Sequence, residues 1–129
     1  MKKKTKKSTS KKYDKYQSPL AERYASDEMS YNFSDQLKYS TWRKLWIALA
    51  ETEKALGVKA ISQKQINEMK KFQDNIDFDA ARKHEIRVKH DVMAHVHAFG
   101  DQCPAASPII HLGATSAFVQ DNADLILMK

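Results

Sequence analysis

The sequence predicts an all-α protein. Glycine and proline are scarce, three each in 129 residues. A β-rich chain would need a turn signal every ~8–12 residues. Apolar residues recur at helical spacing: Trp42, Leu45, Trp46, Leu49 and Leu56 follow i, i+3, i+4, i+7. Helix-start signatures precede several such stretches, the clearest being Ser62-Gln63-Lys64-Gln65, in which Gln65 can reach back to the Ser62 amide. The length fits about one domain with a modest core.

In order along the chain, residues 16–33 mix aromatics, serines and one proline. They read as an extended lead-in with a short turn of helix near 27–29. A long amphipathic helix starts at Ser34 or Ser40, carries the two tryptophans, has Ala50 and Ala55 alongside them, and stops at Gly57. The capping box opens a short helix whose apolar face is Ile66 and Met69. Asp77 caps a third helix, running to about Lys89. A fourth spans residues 91–99, with Val92, His95, Val96 and Phe99 on one face and Gly100 as its stop. Residues 101–114, with Pro104, Pro108 and Gly113, read as loop. A last helix starts near Ser116, carries Val119, Ala123, Ile126 and Leu127, and meets no stop signal before Lys129. The sequence therefore reads as a fragment or as incomplete.

The pI near 9.4 suggests a nucleic-acid partner until the charge is located. Residues 1–15 hold eight lysines and one acid, Asp14, a balance of +7 in a chain of +6. The rest carries 14 basic and 15 acidic residues. The basicity is thus a tail, read as disordered and solvated, and no specific nucleic acid is expected. Cys103 is the single cysteine, so no internal disulfide can form, and a reducing, cytoplasmic setting is expected. No apolar run approaches the ~18 residues of a membrane span.

All five histidines (His84, His90, His95, His97, His111) fall between residues 84 and 111. A metal site would explain the clustering, but the spacings oppose it. His95 and His97 are two apart and face different sides of a helix, no HxxxH pair exists, and Cys103 has no thiol partner. No metal is expected. His90 differs from the rest, because it sits at a break between helices beside Lys89 and Asp91. The free N–H groups and positive dipole end of a helix start favour an anion there. HLGATS repeats this logic: Gly113 permits close backbone approach, and Thr115 and Ser116 place two hydroxyls at the next helix start. The plainer alternative is that Ser116 merely caps its helix.

The stretches SPLAERYAS, FSDQLKYSTWRKLWIALAETEKALG, KHDVMAHVHAFGDQCP and IIHLGATSAFVQDNADLI resemble, in order and spacing, the N-terminal region of the adenylosuccinate lyase family within the fumarase/aspartase superfamily. The resemblance runs over residues 18–129. It implies the N-terminal helical domain of that superfamily, cut at the start of the central helical region. Residues 1–15 would be a Lys-rich tail, 16–114 the N-terminal domain and 115–129 the start of the central domain.

The resemblance further implies a homotetramer acting on a small nucleotide substrate, with no metal or organic cofactor. The reaction implied is β-elimination of fumarate from adenylosuccinate, giving AMP, and from the succinylated aminoimidazole carboxamide nucleotide of purine synthesis. Carried over by position, the substrate contacts fall on Arg23 and Tyr24, on Lys89, His90 and Asp91, and on Thr115 and Ser116. Arg23 and Lys89 would contact anionic groups. Tyr24 would pack and hydrogen-bond, and Thr115 and Ser116 would hold a succinyl carboxylate. Asp91 would orient His90 or cap its helix. Lys89 stands where the family more often has Arg, keeping the charge but losing the planar fork. The family's general acid and general base fall in motifs outside these 129 residues, so no catalytic residue is expected here and the chain alone should be inactive. The alternative is a non-catalytic short product that binds full-length subunits or serves as a binding module.

Overall fold

The computed structural model describes residues 13–129. Of the expected Lys-rich tail, residues 1–12 lie outside that range. Among the described residues the regular structure is entirely helical, and no helix is long and apolar enough to cross a membrane. The chain divides into two compact units at Ser30–Tyr31.

Where the sequence suggested an extended lead-in with a short helical turn near 27–29, that turn is present as a helix and the segment before it is wound as well. Leu20–Tyr24 form a wide π-helical turn closed by the Ala25 N–H donating to the Leu20 carbonyl at 2.8 Å. Ser26 then starts helix α1 (Asp27–Asn32), its hydroxyl accepting from the Met29 N–H at 3.1 Å. Neither element buries a residue, so no apolar periodicity marks them.

In the second unit the long helix α2 (Asp35–Ala55) is the core element. Ser34 caps it by accepting from the Leu37 N–H at 3.2 Å. Its end is a Schellman closure: Val58 donates to the Glu53 carbonyl and Gly57 to that of Lys54, with Gly57 at φ 94°. Trp42, Trp46, Ile47 and Ala50 form its buried stripe, with Arg43 buried among them. Leu56, expected on that stripe, is 81 % exposed, because the closure turns the last residue outward.

Helix α3 (Gln63–Lys71) carries both halves of the predicted capping box, and it buries Ile66 and Met69. Helix α4 (Phe78–Val88) is capped by Asp77, which accepts from the Ala80 N–H at 2.9 Å. Helix α5 (Asp91–Gln102) follows after only Lys89 and His90, and α4 folds back on it, setting His84 against His97 and Asp101.

Gly100 is not the stop of α5. It lies inside the helix, buried, and a Cβ there would sit 2.7 Å from Ser107 Oγ. Its role is close packing of the short 3₁₀ turn Ser107–Ile109 on α5. The helix ends two residues later, before Pro104. Helix α6 (Ser116–Met128) packs on α2 through Val119, Ala123 and Leu127, while Ile126, expected inside, is half-exposed.

The buried Arg43 ties the α3–α4 connector to α2. Its Nη1 donates to the carbonyls of Phe72 (2.6 Å) and Asn75 (3.1 Å), and its guanidinium lies 4.2 Å from the Phe99 ring centroid. Burial pushes this group down to about 10. Burial likewise pushes the Cys103 thiol up to about 11, so it stays protonated and packs as an apolar side chain.

Candidate functional site

Two helix starts meet at the surface of the second unit. The chain leaves α4 through Lys89, which takes a left-handed conformation at φ 55°. His90 then returns to extended backbone and caps α5. Its Nδ1 accepts from the Met93 N–H at 3.2 Å. That bond requires a bare Nδ1, so the ring proton sits on Nε2. Nε2–H points to Ser116, whose Oγ lies 3.2 Å away at the first position of α6. Nδ1 is also 3.7 Å from Asp91 Oδ1, a contact that would need a protonated Nδ1. The shorter bond to Met93 decides the tautomer.

Asp91 occupies the first turn of α5, where a carboxylate suits the dipole. Its Oδ1 accepts from the Val92 N–H at 2.8 Å, and the Gln120 amide reaches both carboxylate oxygens at 3.3–3.4 Å. Gln120 lies one turn beyond Ser116, so α6 contacts the start of α5 twice. Thr115 is the N-cap of α6, but its hydroxyl caps nothing. Among the described residues that hydroxyl and the Ser116 and Ala117 amides have no hydrogen-bond partner, whereas the Phe118 N–H donates to the Thr115 carbonyl at 3.0 Å; the two unused amides can donate to a ligand.

His111 enters from the turn before α6, at φ 65°. Its Nδ1 accepts the Trp46 indole N–H at 2.9 Å. Burial, and secondarily the proximity of His90, pull its pKa below the ordinary value. Gly113 follows at φ 72°, with the Glu53 carboxylate 3.7 Å from where its Cβ would stand.

Lys89, His90, Asp91, Thr115 and Ser116 are thus gathered at one pair of helix starts. The His90 and Asp91 side chains are 44 % and 45 % exposed, open to a ligand. Arg23 and Tyr24 lie in the other unit, both exposed, in the turn Leu20–Tyr24. Sequence reasoning missed Gln120, Trp46 and Glu53 as neighbours of the site. Only Gln120 left a signal, its i+4 spacing from Ser116.

The other histidines serve packing. His95 is buried and stacks on Tyr39, with ring centroids 3.7 Å apart. His84 donates to Asp101 at 2.6 Å, accepts from Arg87 at 3.0 Å, and stacks on His97. Among the described residues no three His, Cys, Asp or Glu side chains converge on a metal position.

No family model matches the chain. It is 56 % identical over 117 residues to the adenylosuccinate lyase of Schistosoma mansoni, covering 91 % of this chain and 24 % of that protein. The adenylosuccinate lyase of Saccharomyces cerevisiae is 54 % identical over 119 residues, covering 91 % and 25 %. That of Caenorhabditis briggsae is 53 % identical over 117 residues, covering 90 % and 24 %. The chain spans about a quarter of the length of these curated relatives. Over about nine tenths of its length the chain is similar to adenylosuccinate lyases, as the counterpart of about a quarter of such a protein.

Proposed function

We propose that Lys89, His90, Asp91, Thr115 and Ser116 form one wall of the substrate site of an enzyme that cleaves adenylosuccinate to AMP and fumarate, and that treats the succinylated aminoimidazole carboxamide nucleotide in the same way. The observation that carries this reading is the His90–Ser116 bond, which joins two helix starts carrying Lys89 and Thr115. Both substrates bear a phosphate and two carboxylates. The first N–H groups of α6, two hydroxyls and a cation are donors suited to such anions.

In the elimination a base takes a proton from the succinyl carbon. Its electron pair forms the C=C bond of fumarate as the C–N bond breaks, and an acid protonates the departing nitrogen. No residue of this chain is assigned to either proton transfer. Thr115 and Ser116 would hold a succinyl carboxylate, and Lys89 and Arg23 would meet anionic groups. Tyr24 would pack and hydrogen-bond, and Asp91 would fix the His90 ring. The acid and base would come from other parts of a homotetrameric, cytoplasmic enzyme, with residues 115–129 opening its central helical region. The elimination as written calls for no cofactor.

The test is the absorbance change on adenylosuccinate cleavage. In the whole enzyme carrying these residues, Thr115→Ala and Ser116→Ala should each lower kcat/KM by tenfold or more, as loss of a hydrogen bond to a charged group does. The 129-residue chain alone should release no fumarate. Wild-type kinetics in both variants would remove the proposed wall, and turnover by the chain alone would remove the assignment of acid and base to other segments.

A further inference from the structure

The apolar face of α6 packs on α2. Toward the start of α5 it makes two polar contacts. The first joins Ser116 to His90, the cap of α5. The second joins half-buried Gln120 to Asp91, whose Oδ1 and Oδ2 lie 3.4 and 3.3 Å from the Gln120 amide nitrogen. Among the described residues no other hydrogen bond links α5 and its cap to α6.

The His90–Ser116 bond has little slack. At 3.2 Å, a few tenths of an ångström more would break it. It also sets the direction of the Ser116 hydroxyl. The oxygen accepts from His90 Nε2–H, so its own proton points away from the ring and can serve an anion. The donor that Ser116 offers thus depends on α6 keeping its distance from α5.

A single contact between two helices is a hinge about which α6 can roll. A second contact, one turn further along α6, removes that freedom, and Gln120 supplies it. Its N–H donates to a charged acceptor, the stronger kind of hydrogen bond. The acceptor is itself fixed, because Asp91 Oδ1 also accepts from the Val92 N–H at 2.8 Å. A neutral amide does this without adding a cation that would compete for the anionic groups of a ligand. Released from Gln120, the Asp91 carboxylate could turn toward His90 Nδ1, which is 3.7 Å away.

We infer that Gln120 is a positioning residue of the wall. Through Asp91 it holds α6 against α5 at the spacing that keeps the Ser116 hydroxyl aimed at the ligand. The inference rests on the reading of Lys89, His90, Asp91, Thr115 and Ser116 as a substrate wall.

Its test has one arm without substrate and one with it. In the 129-residue chain, the nuclear Overhauser signal between the His90 ring and the Ser116 β protons reads the spacing directly. Gln120→Met keeps the length and helix propensity of the side chain but removes the amide. Gln120→Glu sets a second carboxylate against Asp91. Both should lose most of the signal with the helical circular dichroism unchanged, while the surface change Asp121→Asn should keep it. Adding Asp91→Asn to Gln120→Glu again sets an amide opposite a carboxylate and should restore the signal. In the whole enzyme, Gln120→Met should raise KM for adenylosuccinate about tenfold with little change in kcat, the signature of lost binding rather than lost chemistry. A wild-type signal in a folded Gln120→Met, or no recovery in the exchanged pair, would overturn the inference. So would a wild-type KM in Gln120→Met where Ser116→Ala is impaired. Should Thr115→Ala and Ser116→Ala both keep wild-type kinetics, it is the wall reading that fails, and the inference falls with it even where the spacing signal behaves as expected.

Discussion

Trp46 and His111 meet through one hydrogen bond: the indole N–H of α2 donates to Nδ1 of the histidine in the turn before α6, at 2.9 Å. The bond fixes the His111 tautomer and anchors the strained turn from which Thr115 and Ser116 emerge. It exists only while Nδ1 is bare.

Trp46→Phe should therefore raise the His111 pKa toward the ordinary 6.5, since the neutral ring loses its donor. NMR titration of the His111 ring protons reads this directly. An unchanged titration would show that burial and the nearby His90 set the value without the bond. The loss of one hydrogen bond should also cost about 1 kcal/mol.

His95 should make stability fall in mild acid. It is 6 % exposed, and burial, then Arg43, pull its pKa down to about 4; Asp91 opposes them, and Lys38 adds a smaller downward pull. The unfolded chain takes up the proton near pH 6.5, and the folded chain only near 4. The contribution is thus fully present above 6.5 and lost as pH falls from 6.5 to 4, by an amount on the order of 3 kcal/mol. Denaturant melts at pH 7, 5.5 and 4.5 should show the decline, and His95→Phe should flatten it. A parallel decline in the variant would place the acid sensitivity elsewhere.

Gly100→Ala sets two effects against each other. Alanine should gain ~1 kcal/mol of helix propensity. The new methyl group, however, would meet Ser107 Oγ at 2.7 Å and Cβ at 3.2 Å. Overpacking of this kind costs about 1–3 kcal/mol, so a net loss is expected. Ser107→Ala removes the nearest atom, and the double variant should recover part of the loss. Strict additivity in that cycle would mean the two residues do not collide.

Cap and ligand roles can be separated at His90. Asn is among the preferred caps and His is not, so His90→Asn should keep or raise the melting temperature, whereas His90→Ala should lose about 1 kcal/mol. Both remove the Nε2–H that faces Ser116. In the whole enzyme both should lower kcat/KM despite their opposite effects on folding. Activity that tracked melting temperature instead would leave His90 a cap and nothing more.

Much of this architecture was legible because it rests on local rules. Ser34, Ser62 and Asp77 announce helix starts through side-chain oxygens that satisfy nearby amides, and Gly57 announces a stop through its left-handed φ. The gathering of His90 with Ser116 was readable only as two separate helix starts, since nothing local says that residues 26 apart will touch. Gly100 misled because a helical glycine signals an end only when nothing packs against it, and its partner, Ser107, lies in another element. Arg43 falls inside an apolar stripe, and its burial depends on carbonyls of residues 72 and 75 that no periodicity reveals. The turn Leu20–Tyr24 buries nothing, so the usual alternation of apolar and polar residues has no reason to appear there.

The two-residue link between α4 and α5 has a consequence for what changes this chain can accept. Each α-helical residue advances the helix by about 100°. One residue inserted beside Lys89 would reset the phase of α5 against α4, swinging Val92, His95 and Phe99 away from the core. One residue deleted would remove either the left-handed bend or the cap. The segment that presents Lys89 and His90 to solvent is therefore also the one whose length is fixed most tightly. Chain-length variation is expected to collect instead at Lys59 and Ala60, exposed residues between the closure of α2 and the buried Ile61.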